Sequence, residues 1–126
     1  MKSVEEKIIQ TICRTFKNYQ RGSLRVGIGD DTAVYKAPES EDLLLTTDQL
    51  IEGTHFVRGI HPAYALGYKT VSRAVSDVAA MGGKPLCFLL SLSLPNWSQG
   101  AWLGRYARGI ARVAEKINTS LVGGDV

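Results

Sequence analysis

The chain has 126 residues, 44% hydrophobic and 21% charged, which is close to ordinary usage for a folded domain, excludes a disordered or fibrous polypeptide and allows one hydrophobic core. Fifteen Lys and Arg against twelve Asp and Glu leave a net charge of +3, too small an excess to indicate a nucleic-acid binder. The charges are segregated: from Gly53 to Ala114 Asp77 is the only acid among seven basic residues, whereas Asp30, Asp31, Asp48 and Glu52 crowd into one short stretch.

The opening MKSVEEKIIQ has no apolar h-region, and no stretch approaches the ~18 apolar residues of a membrane span. Ser3 and Glu6 have the capping-box spacing, and Ile8, Ile9, Ile12, Cys13 and Phe16 recur at helical intervals. This predicts an amphipathic helix from about Val4 to Lys17. Residues 18–29 hold three glycines and read as a loop, after which Thr32 to Lys36 alternates as a strand does. Pro38 to Asp42 is a polar turn. Leu43, Leu44 and Leu45 running into Thr46, Thr47 and Asp48 predict a buried strand that emerges into a polar site.

Pro62 suits a helix start, and the apolar pattern from Ala65 to Ala79 carries a helix to Gly82-Gly83, with small residues near its end to pack on a sheet. Leu86 to Leu94 is the strongest strand, apolar at nearly every position and so expected to be buried on both faces. Trp102 to Ile117 marks another amphipathic helix, whose Arg105, Arg108, Arg112 and Lys116 form a solvated face. A short strand, Ser120 to Val122, leads into Gly123-Gly124-Asp125. Elements alternate as αββαβαβ with no internal repeat, which predicts an α+β domain built as a two-layer α/β sandwich with a mixed sheet. Cys13 and Cys87 sit in apolar patterns without CxxC spacing, so both are expected as buried thiols, and a cytoplasmic location follows.

The acids at strand ends and in the small-residue helix share glycine or hydroxyl neighbours. Asp30 and Asp31 follow Gly27-Ile28-Gly29, Asp48 follows Thr46-Thr47, Asp77 follows Ser76, and Asp125 follows Gly123-Gly124. Gathered carboxylates repel unless a cation neutralises them, and hard oxygen donors suit Mg²⁺. The plainer alternative is that an Asp after glycine serves as a turn or cap residue bonded to nearby N–H groups. The glycine stretches let backbone approach an anion, yet neither is a P-loop nor a complete dinucleotide fingerprint.

The strings GIGDDTAV (27–34), TTDQLIEGTHF (46–56), LGYKTVSRAVSDVAAMGGKP (66–85), LLSLSLP (89–95) and LVGGD (121–125) resemble, in order and spacing, the amino-terminal half of the thiamine-monophosphate kinase family. Its superfamily includes aminoimidazole ribonucleotide synthetase and selenophosphate synthetase. The resemblance implies ATP-dependent phosphorylation of thiamine monophosphate to thiamine diphosphate with several Mg²⁺ ions. By motif, Asp31, Thr46, Thr47, Asp48, Asp77 and Asp125 resemble metal ligands. Asp30, Gly124 and Asp125 resemble ATP-binding residues, and His55 resembles a contact to the thiamine substrate. No residue of this chain is assigned a covalent catalytic role.

The resemblance also implies a homodimer whose sheets join in a barrel-like interface, with no nucleic-acid or membrane partner. Residues 1–126 would be the ATP- and Mg-binding and dimerisation domain. The family's carboxy-terminal domain is absent from this sequence, so the chain alone is expected to be inactive. A non-catalytic nucleotide-binding module and a sister-family ATP-dependent enzyme are the competing readings. Two departures stand out: Ala74 where the family usually has asparagine, and Arg73 beside it, a charge uncommon in that helix.

Overall fold

The computed structural model describes residues 2–16 and 23–126. Helix α1 (Val4–Phe16) starts as its capping box requires. The Glu6 backbone N–H donates to Ser3 Oγ at 3.1 Å and the Ser3 N–H to Glu6 Oε2 at 2.8 Å, so two donors at the helix start are satisfied reciprocally. Ile8, Ile12 and Phe16 form its buried face. The expected last residue, Lys17, and the start of the expected loop, 18–22, lie outside the described residues.

Two short strands follow, β1 (Leu24–Val26) and β2 (Val34–Tyr35), paired antiparallel with an irregular register. β1 falls inside the stretch that its glycines mark as loop. Leu43 to Leu45, expected as a buried strand, belongs to no strand: the three residues pair with no strand among the described residues, and Leu45 is 92% exposed. β2 lies inside the expected strand 32–36, so the αββ opening survives with β1 in place of the expected strand at Leu43 to Leu45.

Helix α2 (Ala63–Ala80) and helix α3 (Ala101–Lys116) pack directly on each other. The contact passes through backbone. A Cβ on Gly67 would collide with the Tyr106 carbonyl, and one on Gly109 with the Tyr64 carbonyl, so only glycine lets the two helices approach this closely. The small residues expected to pack the end of α2 on a sheet do not: Ala79 and Ala80 are exposed, and the close packing lies near the helix start.

Strand β3 (Cys87–Ser91) is shorter than expected and is covered on one face only. Leu90 is buried and Phe88 half-buried, whereas Cys87, Leu89 and Ser91 are exposed. It pairs parallel with β4 (Ser120–Asp125), which runs three residues beyond the expected strand. Parallel pairing needs a crossover, and α3 supplies it, preceded by a 3-10 turn at Asn96–Ser98. Among the described residues the strands form two separate two-stranded sheets rather than the expected single mixed sheet.

Helix α3 is the centre of the core. Leu103, Tyr106, Ile110, Val113 and Ala114 are buried against Ile8, Ile12 and Phe16 of α1, Leu66 and Val71 of α2, and Leu121 of β4. Arg105, Arg108, Arg112 and Lys116 are exposed, as their spacing requires. Both cysteines are free, but Cys13 is only half-buried and Cys87 is exposed. Cys87 occupies the uncovered face of β3, which an apolar pattern alone does not reveal. Desolvation nevertheless pushes its thiol above the ordinary value. Among the described residues no helix is long and apolar enough to cross a membrane.

Candidate functional site

One face of α2 carries Lys69, Arg73 and Asp77 at successive i,i+4 positions, a drift of about 40° per step that keeps all three on one side of the helix. Each holds the segment 46–55. Thr46 Oγ1 donates to Asp77 Oδ2 at 3.1 Å, Arg73 Nε donates to Asp48 Oδ2 at 2.7 Å, and Lys69 Nζ donates to the His55 carbonyl at 2.7 Å. The first two rungs match in pitch. Two residues of extended chain advance about 6.6 Å and four helical residues about 6 Å, so 46 and 48 register against 77 and 73 running the opposite way.

The second oxygen of Asp48, Oδ1, accepts the Gln49 backbone N–H at 2.8 Å. Both oxygens of that carboxylate are therefore engaged, one by a cation. Its side chain is 21% exposed against 37% for Arg73. Asp77 lies toward the end of α2 on an exposed face rather than within an apolar interior, so its carboxylate bears no large burial cost.

The substrate candidate His55 closes a tight turn. Its N–H donates to the Ile51 carbonyl at 2.8 Å, and its Nδ1 accepts the Ile51 N–H at 3.1 Å. A neutral ring that accepts at Nδ1 carries its proton at Nε2. The same turn recurs six residues later. The His61 N–H donates to the Val57 carbonyl at 3.2 Å, its Nδ1 accepts the Val57 N–H at 3.1 Å, and Gly53 and Gly59 take positive φ in the two copies. IEGTH and VRGIH are thus a tandem pair, a repeat missed in the sequence, where only the spacing of Gly and His signals it. Arg58 of the second copy lies over the Trp97 ring at 4.3 Å. That ring meets Trp102 edge-on, and Trp102 stacks on Tyr106.

The remaining candidates lie apart from these rungs. Asp30 Oδ1 accepts the Asp31 backbone N–H at 2.9 Å, the local role of a turn residue, and both residues are exposed, as is Thr47. Asp125 is at the end of β4, where its carbonyl accepts the Leu92 N–H at 2.8 Å. It lines a shallow groove of about 510 Å³ with Val4, Glu5, Ile8 and residues 91–94, a wall set that includes no residue of the α2 rungs. Gly124 has a packing reason to be glycine, since a Cβ there would strike the Leu90 backbone across the β3–β4 pair.

Among the described residues no three His, Cys, Asp or Glu side chains come together closely enough to hold a metal. The donor chemistry does fit a hard divalent cation. A hydroxyl and two carboxylates from two elements share adjacent rungs, and one of those carboxylates already holds a cationic group.

The family model described as AIR synthase related protein, N-terminal domain, matches residues 29–126. A thiamine-monophosphate kinase of Buchnera aphidicola subsp. Acyrthosiphon pisum (strain APS) is 41% identical over 127 residues, covering 99% of this chain and 38% of the relative. The crystal structure of thiamine-monophosphate kinase from Stenotrophomonas maltophilia K279a superposes with a TM-score of 0.76 at 32% identity, over 98% of this chain and 38% of that one. The corresponding Aquifex aeolicus structure gives 0.64 at 43% identity, over 71% and 30%. The chain spans less than two fifths of the length of these relatives.

Proposed function

The chain belongs to the AIR synthase related protein family through its N-terminal domain, and from that premise we propose that it supplies the metal- and nucleotide-binding half of a thiamine-monophosphate kinase. In that reaction the γ-phosphoryl group of ATP passes to a phosphate oxygen of thiamine monophosphate, giving ADP and thiamine diphosphate. The relatives of that name support the reading. The observation that carries it is the ladder on α2, because it joins the TTD segment to the helical Asp that the family resemblance singles out.

Phosphoryl transfer depends on positioning and charge neutralisation more than on covalent chemistry. Bound Mg²⁺ would neutralise charge on the phosphates. Thr46, Asp48 and Asp77 would hold one ion from the ladder, while Thr47, Asp31 and Asp125, which lie apart from it, would offer oxygen donors to further ions. Asp30 and Gly124 would face the nucleotide. His55, with its Nε2–H free of the turn, would offer a donor to the thiamine substrate. The uncovered face of β3 and the unpaired Leu43 to Leu45 support a homodimer that covers them.

Titration calorimetry with Mg-ATP tests the assignment. The parent chain is expected to bind, while Asp48→Asn and Asp77→Asn lose binding by tenfold or more with their helical content intact. Equal binding by all three proteins would refute the metal assignment.

A further inference from the structure

Arg73 has no role in the proposed reaction, yet it sits directly on a proposed metal ligand. Its Nε donates to Asp48 Oδ2 at 2.7 Å, while Gln49 N–H occupies Oδ1. The neighbouring cation on the same helix face, Lys69, is committed to the His55 carbonyl. The two acids and two bases that face one another here, Asp48, Asp77, Lys69 and Arg73, therefore carry no net charge before any ion arrives.

We propose that Arg73 is an internal counter-cation that competes with a divalent metal for Asp48 and so sets the metal concentration at which the site loads. The inference rests on the metal reading of Asp48. A hard cation needs at least one of that carboxylate's oxygens, and the more accessible exchange is at Oδ2, where the partner is a side chain rather than local backbone. The Arg73 side chain is 37% exposed, so its guanidinium can turn into solvent when displaced, and its attraction to Asp48 and repulsion of the incoming ion both oppose loading. Asp77 is differently placed. Its partner is a neutral hydroxyl that can itself become a ligand oxygen, so that rung adds no competing charge.

The test uses Mn²⁺ alone, with free ion counted by electron paramagnetic resonance, on the parent, Arg73→Met, Arg73→Gln, Arg73→Lys and Asp48→Asn chains. Met, Gln and Lys are all good helix formers, so α2 is retained in each. Arg73→Met and Arg73→Gln are expected to bind Mn²⁺ about three- to tenfold more tightly than the parent. Arg73→Lys, which keeps the charge, should stay within about twofold of it. The gain should vanish when Asp48→Asn is added.

Unchanged or weaker binding in both neutral variants overturns the proposal, as does absence of binding in the parent and in both of them. If Asp48→Asn leaves the parent's affinity unaltered, the metal reading of Asp48 has failed and takes this inference with it. Loss of binding in Asp48→Asn without a gain in the neutral variants refutes the role of Arg73 alone.

Discussion

Tyr106 shows how one side chain serves two structures at once. Its ring stacks on Trp102, and its hydroxyl lies 3.0 Å from Thr70 Oγ1, which itself donates to the Leu66 carbonyl at 2.9 Å. The single Thr70 hydrogen is spent on that carbonyl, so the neutral phenol is the donor between them. Burial raises the Tyr106 pKa, an effect partly offset by the bond to Thr70. The folded phenol thus keeps its proton to higher pH than the unfolded one. Its contribution to stability is complete below the ordinary tyrosine value of about 10 and is lost as pH climbs beyond it. Denaturant melts of the parent are expected to weaken as the pH rises above about 10. Tyr106→Phe should cost about 1 kcal/mol at pH 8 and show a shallower alkaline decline. An equally steep decline in the variant would show that Tyr106 is not its source. The ladder residues were legible only in part. TTD and the helical Asp stand out in the sequence, and Arg73 stands out as an oddity. That Lys69, Arg73 and Asp77 share a face follows from their spacing, but the opposing segment becomes visible only once the chain is folded.

At the scale of elements, the three helices were legible because their signals are local. A capping box, a Pro start, a Gly-Gly stop and a 3.6-residue apolar period each act within a few residues. Strands were less so, since a strand exists only where a partner lies beside it. The apolar run Leu43 to Leu45 satisfies the pattern and has no strand partner among the described residues, while β1 lies among glycines and pairs with β2 regardless. The crossing of α2 and α3 depends on a feature that periodicity does not report, the absence of two side chains. Gly109→Ala places a methyl group against the Tyr64 carbonyl. It is expected to destabilise the fold by about 2 kcal/mol or more in urea melts, although alanine is the better helix former. A neutral or stabilising result would show that the helices can separate at no cost.

Across the whole molecule, the core lies around α3, and apolar surface is left on the opposite side of the β3–β4 pair. Leu89 is 69% exposed there. If a second copy covers this face, as proposed, Leu89→Glu should convert a dimer to a monomer in sedimentation runs at micromolar concentration without lowering the melting temperature. A parent that already sediments as a monomer would count against the pairing. The backbone contact at Gly67 and Gly109 has a mechanical consequence as well. The ladder of Arg73 and Asp77 rides on α2, whereas Asp125 follows from α3 through β4, so the glycine crossing is the fulcrum between two groups of candidate ligands. Asp77 lies ten residues from Gly67, a lever arm of about 15 Å. A tilt of about 5° at the crossing would move its carboxylate about 1.3 Å relative to β4, a displacement large enough to decide whether the proposed phosphoryl transfer is aligned. Substitutions at the glycines that still fold are therefore expected to alter ligand alignment as levers, though they touch no ligand.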